Sequence, residues 1–322
     1  MKFPQIFSLI GALALAWGST LAAAQAPHRV VVPYPPGGGL NAVARLIADK
    51  LAEAAGRPFV VENRAGAAGQ IGTASLKGAA TDGSVLLVAP DSNISVYPAT
   101  VVKPAYIPLT DFVAIAHCGD YRISLAVHAS VPAKDLRSFV AWTGTQPGAV
   151  GYGTAGAGTN LHFYGVLFAQ VSGAQMNHVP CRGTGPAVVD LVAGHLPATM
   201  LPIGALLPHA KAGKIRILAQ TGENRSASLP DVPSFKDLGH PMLAFSGWYG
   251  FFAPAGTPAE IVNRYNEVIV KAIRTPQIAE RMRAFELEPR EMSVAQFQAF
   301  VKADTERWAP IIRASGFTAA SE

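Results

Sequence analysis

Short β-branched runs alternate along this chain with longer stretches whose apolar residues recur at helical spacing. Val30, Val31 and Val32 form one such run, and Pro33, Pro35 and Pro36 follow it. Proline cannot donate to a strand ladder, so a buried strand ends there. Across residues 41–55, Val43, Leu46, Ile47, Leu51 and Ala54 share one helical face and Arg45, Asp49, Lys50 and Glu53 the other. Asn41 is a capping type at the start of that helix, and Gly56 and Pro58 stop it. A strand is predicted over residues 59–62, a second glycine loop over 66–72 leads into another helix, and a turn at Asp82-Gly83 leads into a strand over 85–89. Strand, loop and helix in repetition predict an α/β lobe with a mostly parallel sheet.

The pattern restarts near Ser124. Strands are predicted over residues 124–127, 150–153, 175–179 and 215–221, and helices over 133–143, 161–171 and 186–193. A third glycine loop occupies residues 154–160. An aromatic extended stretch at 248–253 precedes helices over 259–274, 276–285 and 294–314, with a short extended piece over 287–290. At 322 residues the chain exceeds one ordinary core, and two α/β lobes with their glycine loops facing a common cleft are expected.

Half the residues are hydrophobic and 15% are charged, the balance of a well-buried globular protein. The formal charge of +5 is scattered without a Lys/Arg run, which gives nucleic-acid binding no support. Lys2, an apolar run over residues 6–17 and small residues before a cut after Ala24 or Ala26 predict an export signal over 1–26. That run is shorter than the ~20 residues needed to span a bilayer. Cys118 and Cys181 are the only cysteines, and two unpaired thiols are expected.

The loop at Gly37-Gly38-Gly39 is the most informative feature. Glycines leave main-chain N–H groups uncovered, and a helix beginning just after a strand turns such a loop into an anion seat. Gly37-Gly38-Gly39-Leu40-Asn41-Ala42 also satisfies the dinucleotide pattern G-x-G-x-x-A, with Glu62 where a ribose-binding acid would end the next strand. An exported dinucleotide-binding oxidoreductase is therefore the alternative reading, although Pro35-Pro36 interrupts the fingerprint. There is no G-x-S-x-G elbow. His162, His178, His195 and His209 lack a nucleophile at telling spacing, and Asp91, Asp111 and Asp120 lack metal-ligand spacing. Recognition of a carboxylate, with no catalysis, cofactor or metal, is what remains.

The ordered landmarks resemble the Bug family of periplasmic solute-binding proteins, the receptors of tripartite tricarboxylate transporters. They are Val31-Val32-Pro33-Tyr34-Pro35-Pro36-Gly37-Gly38-Gly39, Val60-Val61-Glu62-Asn63-Arg64-Ala65-Gly66, Thr154-Ala155-Gly156-Ala157-Gly158-Thr159 with His162, His178-Val179-Pro180, and Phe252-Ala253-Pro254-Ala255-Gly256-Thr257-Pro258. The resemblance implies a type II periplasmic-binding-protein fold, in which two α/β lobes close on an organic carboxylate. It implies a periplasmic monomer serving a membrane permease or a sensor kinase. The lobes are expected as residues 27–123 with 247–275, and 124–246 with 276–322. Ligand contacts are implied for Tyr34, Pro36, Gly37, Gly38, Gly39, Leu40 and Asn41 in the first loop, and for Ser92 and Asn93 after the third strand. In the second lobe they are implied for Thr154, Ala155, Gly158, Thr159, Asn160 and His162, and for Cys181, Arg182 and Pro202. Glu62-Asn63-Arg64 is read as support beneath the first loop.

Three departures from the family pattern bear on the ligand. Leu40-Asn41 replaces Thr-Asp, Cys181-Arg182 replaces Tyr-Lys, and Leu201-Pro202 replaces Asp-Asn. Two acids have become neutral and a ring has become a thiol, so the cleft repels a dianion less, offers an amine no partner and has more room. A bulky acid without a cationic group, such as the aromatic dicarboxylate terephthalate, is expected rather than a citrate-like acid.

Overall fold

The computed structural model describes residues 26–318, so the predicted export signal lies outside the described residues except for Ala26. The first pass builds β1 (His28–Val32), α1 (Gly39–Ala55), β2 (Phe59–Asn63), α2 (Gln70–Ala74), β3 (Val85–Pro90), α3 (Pro108–Asp111) and β4 (Phe112–Tyr121). The chain then crosses into β5 (Ile123–His128), α4 (Leu136–Thr143), β6 (Val150–Thr154), α5 (Asn160–Ser172), β7 (Met176–Pro180), α6 (Thr184–Val192), β8 (Ala198–Pro202), α7 (Ile203–Lys211) and β9 (Ile215–Gln220). It returns as β10 (Gly247–Pro254), α8 (Ala259–Arg274), α9 (Pro276–Arg283), β11 (Leu287–Glu288) and α10 (Val294–Ser315).

Two sheets result, one per lobe, as the resemblance implied. Their strand orders are β11-β4-β10-β3-β1-β2 and β7-β6-β8-β5-β9. The first sheet is mixed rather than mostly parallel. β1 pairs in parallel with β2 and β3, but β10 runs antiparallel to both β3 and β4. The cause is topological: β4 leaves for the second lobe and β10 comes back beside it. Thr221 ties the two crossings, donating its N–H to the Ile123 carbonyl at 2.8 Å and accepting the Ile123 N–H on Oγ1 at 2.9 Å.

Four elements escape the apolar pattern, one of them the single-turn α3. β4 is buried on both faces along most of its length, so it lacks the alternation of a half-exposed strand. β8 is a short, almost fully buried run, and α7 carries Pro208 in its interior. The tail also departs from the expected assignment of residues 276–322 to the second lobe. β11 pairs with β4 in the first sheet, with Leu287 buried there. α9 packs on α1 and α8, and α10 packs across β4. α10 reaches the second lobe as well: buried Trp308 lies edge-on to Tyr164 of α5, with ring centroids 5.7 Å apart.

The first lobe's core includes one polar contact with no access to water. The Trp248 indole donates from Nε1 to Asp304 Oδ2 at 2.8 Å, and both side chains are buried. Trp248→Phe keeps most of the apolar volume but leaves that carboxylate oxygen short of a donor. The expected loss is about 1–3 kcal/mol of stability, measured by urea unfolding followed by circular dichroism.

Candidate functional site

The cleft between the lobes encloses a chamber of about 510 Å³. α1, α6 and α7 all aim their N-termini into it. α1 starts at Gly39, two residues before the predicted Asn41 start, and its cap is Gly38, which has no side chain to offer. The N–H groups of Asn41 and Ala42 both reach the Gly38 carbonyl. Those of Gly37, Gly38, Gly39 and Leu40 have no acceptor among the described residues. Asn41 lines the chamber, but its amide is engaged: it donates to Asn63 Oδ1 at 3.0 Å and accepts from Arg45 Nε at 3.1 Å. Asn63 in turn donates to the Tyr34 carbonyl at 2.8 Å, fixing the loop from below. Gly37 needs its glycine, with φ at +105°.

The two glycine loops differ. Around residues 154–160 three amides are consumed locally. Gly156 N–H goes to Thr154 Oγ1, Gly158 N–H to His162 Nδ1, and Leu161 N–H to Asn160 Oδ1. The second lobe instead offers Thr184 and Gly185 at the start of α6, and Gly204 and Ala205 at the start of α7. None of these four N–H groups has an acceptor among the described residues. Helix dipoles add roughly 0.3–1 kcal/mol each toward an anion there. The rest of the wall is mostly apolar or aromatic, with Ser92, Thr159, Asn160 and His209 as polar members, and the Tyr121 and Tyr249 rings lie 4.6 Å apart on it. No Lys, Arg, Asp or Glu lines this chamber.

Of the residues implied by the resemblance, Tyr34, Pro36 to Asn41, Ser92, Ala155, Thr159, Asn160 and Pro202 line it. Cys181 and Arg182 face an adjoining space instead. Asn93, Thr154, Gly158 and His162 line neither; their hydrogen bonds anchor loops, although Asn93 Oδ1 is buried without a partner among the described residues. Asn93 donates to the Ala68 carbonyl at 3.0 Å. Thr154 Oγ1 lies 2.7 Å from His178 Nε2, and the His178 ring stacks on His162 at 3.9 Å. Burial pushes the His162 imidazole down to about 4 and, with the neighbouring His162, His178 down to about 3, so both rings are neutral near pH 7. Sequence reasoning did not single out Tyr121, Val188, Tyr249, Phe285 and Leu287 as lining residues. Glu62 is not on the wall. Arg64 and Arg29 hold it, at 2.6 and 3.4 Å, which removes the acid that the dinucleotide reading needs.

The lobes are in contact. A Cβ on Gly156 would lie 2.9 Å from the Ala68 Cβ, and one on Gly204 would collide with the Phe285 carbonyl. Behind the chamber a buried polar knot joins them. Asn160 Nδ2 donates to both Asp91 oxygens, at 3.0 and 2.9 Å, and Tyr121 donates to Asp91 Oδ1 at 2.9 Å. Ser92 Oγ donates to Asn160 Oδ1 at 2.7 Å. Burial, reinforced by the Asp304 carboxylate, raises the Asp91 carboxyl from 3.8 to about 8, against the hydrogen bonds from Tyr121 and Asn160.

Two predictions follow from this geometry. The native Asp91 carboxyl holds its proton to higher pH than in the unfolded chain. The folded state therefore binds more protons between the two pKa values, and stability falls as pH rises through that window. The melting-temperature contribution of this group should decline from about pH 4 to pH 8 and level off above, and Asp91→Asn should flatten the decline. An identical profile in the variant would mean that Asp91 is ionised throughout. Gly38 is extended (φ −95°) and a Cβ there meets nothing within 4 Å, so Gly38→Val should fold normally. Its side chain would cover the bare amides and weaken acid binding at least tenfold by calorimetry. Unchanged affinity would remove this loop from the site.

Comparison with known proteins agrees with this architecture. The tripartite tricarboxylate transporter family receptor profile matches residues 43–317. Protein BugT of Bordetella pertussis is 33% identical over 291 residues, 90% of this chain and 89% of BugT. The structure of R. palustris Rpa4515 with adipate is 28% identical with a TM-score of 0.85, covering 91% of this chain and 98% of that one. MatC (Rpa3494) from Rhodopseudomonas palustris with bound malate is 28% identical with a TM-score of 0.83, covering 89% and 98%. A family-wide sequence match over most of the chain, with two lobes that superpose on periplasmic binding proteins, makes this chain a member of the tripartite tricarboxylate transporter receptor family.

Proposed function

We propose that this receptor captures a bulky organic acid, an aromatic mono- or dicarboxylate such as terephthalate, by closing its lobes, and delivers it as a monomer to a tripartite transporter permease. The observation that carries the reading is the pairing of bare helix N-termini with a mostly apolar chamber lined by no Lys, Arg, Asp or Glu and by one histidine, His209. Main-chain N–H groups and dipoles suit a carboxylate. The chamber's apolar wall suits the body behind it, and its volume of about 510 Å³ admits a ring. The Tyr121–Tyr249 pair offers an aromatic surface against which a ring can pack. Adipate and malate in the two R. palustris relatives support a carboxylate ligand. A polyacid such as citrate would bury additional charge against apolar walls and fits poorly.

A thermal-shift panel of small acids tests the proposal. At about 100 times Kd a ligand that binds only the folded form adds ~2.7 kcal/mol, which raises the melting temperature of a protein this large by roughly 4 °C. Terephthalate and its aromatic relatives should give the largest shifts and citrate the smallest. No shift with any acid at saturating concentration would overturn the receptor reading, and a panel led by citrate would overturn the aromatic one.

A further inference from the structure

The turn that joins α9 to β11 carries a strained residue. Glu286 has φ of 59°, and among the described residues only Ala67 and Ala68 are other non-glycines with positive φ. A left-handed backbone costs an L side chain free energy, and it persists only where the surroundings hold it. The Glu286 side chain shows what holds it. It is buried, and its Oε2 accepts the Ser226 hydroxyl at 2.6 Å. It forms no ion pair among the described residues, so this bond is not a by-product of charge neutralisation.

Ser226 belongs to the second lobe's framework. Its N–H goes to Gln220 Oε1 at 2.8 Å, and Gln220, at the end of β9, donates to the Leu229 and Val232 carbonyls at 3.1 and 2.8 Å. The turn itself belongs to the first lobe, because Leu287 pairs with Tyr121 of β4. Glu286 is thus a brace reaching from one lobe to the other. It is not on the chamber wall, whereas its neighbours Phe285 and Leu287 are.

Phe285 stands between two of the helix starts that bear free amides. A Cβ on Gly39, the first residue of α1, would lie 3.9 Å from Phe285 Cβ, and one on Gly204, at the start of α7, would collide with the Phe285 carbonyl. The ring remains 42% exposed although it lines an apolar chamber. Its uncovered face is surface that the body of a bound molecule can take from water.

We propose that Phe285 is a specificity-determining residue and Glu286 the residue that positions it, so that the chamber rejects acids with bulk on the carbon next to the carboxylate. The inference rests on the carboxylate-receptor reading above and deepens it. A carboxylate seated on the starts of α1 and α7 brings its adjacent carbon against the ring. An unsubstituted carbon fits there, and a branched one meets Phe285. The brace keeps the ring from swinging aside, which is how one side chain can reject a shape as well as attract one.

The test is isothermal titration with two matched pairs, terephthalate against 2,5-dimethylterephthalate and adipate against 2,5-dimethyladipate. The readout is the ratio of dissociation constants within a pair, compared between proteins, so effects intrinsic to the methyl groups cancel. The wild type should bind the unsubstituted acid of at least one pair at least tenfold more tightly. Phe285→Ala should reduce that ratio at least fivefold. Glu286→Gly, which tolerates the left-handed backbone but removes the brace, and Ser226→Ala should each reduce it at least threefold. Glu286→Gln, which retains an oxygen for Ser226, should hold it within twofold of the wild type. A merely structural role would weaken both acids of a pair equally and leave the ratio unmoved, and that result in Phe285→Ala would overturn the proposal, as would a wild type indifferent to the methyl groups. An unmoved ratio in Glu286→Gly would overturn the positioning role. A wild type that binds none of the four probes but responds to other acids in the thermal panel would overturn the size selection and leave the receptor reading standing.

Discussion

Asn160 specifies the closed form. It opens α5 at the edge of the second lobe, and its amide is buried. It donates to Asp91 and accepts from Ser92, both of the first lobe. The chamber exists because this knot draws the loop at residues 154–160 against Ala68. Its chemistry also allows reversal. Hydrogen bonds exchanged with water contribute only about 0.5–1.5 kcal/mol net, and burying a carboxyl beside another acid costs free energy. In the receptor reading proposed above, this contact alone would hold the lobes together only weakly, and the ligand's own binding energy would decide how long they stay closed.

The same economy governs the chamber. A site built from lysines or arginines would attract any anion. This one presents main-chain donors from α1, α6 and α7 in an apolar setting, where a direction-dependent N–H counts for more than in water. In the proposed reading the donors would discriminate by geometry at one end of the ligand, and the wall by polarity along its body. The three departures at Leu40, Cys181 and Pro202 fit that division. Leu40 and Pro202 place apolar surface in the chamber, and Cys181 opens room in the adjoining space.

The glycine loop at residues 37–39 was legible because proline, glycine and the helical rhythm mark a strand–loop–helix junction regardless of what surrounds it. The donors at Thr184, Gly185, Gly204 and Ala205 were not, because a main-chain N–H belongs to any residue and only packing decides where it points. β4 was missed for a related reason: a strand buried on both faces carries no alternation, so the segment that supplies Tyr121 gave no periodic signal. His162, Thr154 and Asn93 misled in the opposite sense. Polar residues beside a binding loop read as ligand contacts, yet these are spent on holding the loop's shape. The tail misled because the short extended piece at residues 287–290 was legible but its partner was not: two residues carry no pattern that says which sheet they join, and they complete the first.

That tail has a consequence for biogenesis. The strands of the second sheet come from one uninterrupted stretch, residues 123–220, whereas the first sheet joins residues 28–121 to 247–288. A chain emerging from its N-terminus can complete the second sheet while the first still lacks its central β10 and edge β11. Until the distal quarter arrives, β3 and β4 present unpaired edges to other chains, a hazard for aggregation. The inner, sequence-contiguous lobe is thus available as a finished template before the discontinuous one is sealed by Trp308 and the helix that carries it.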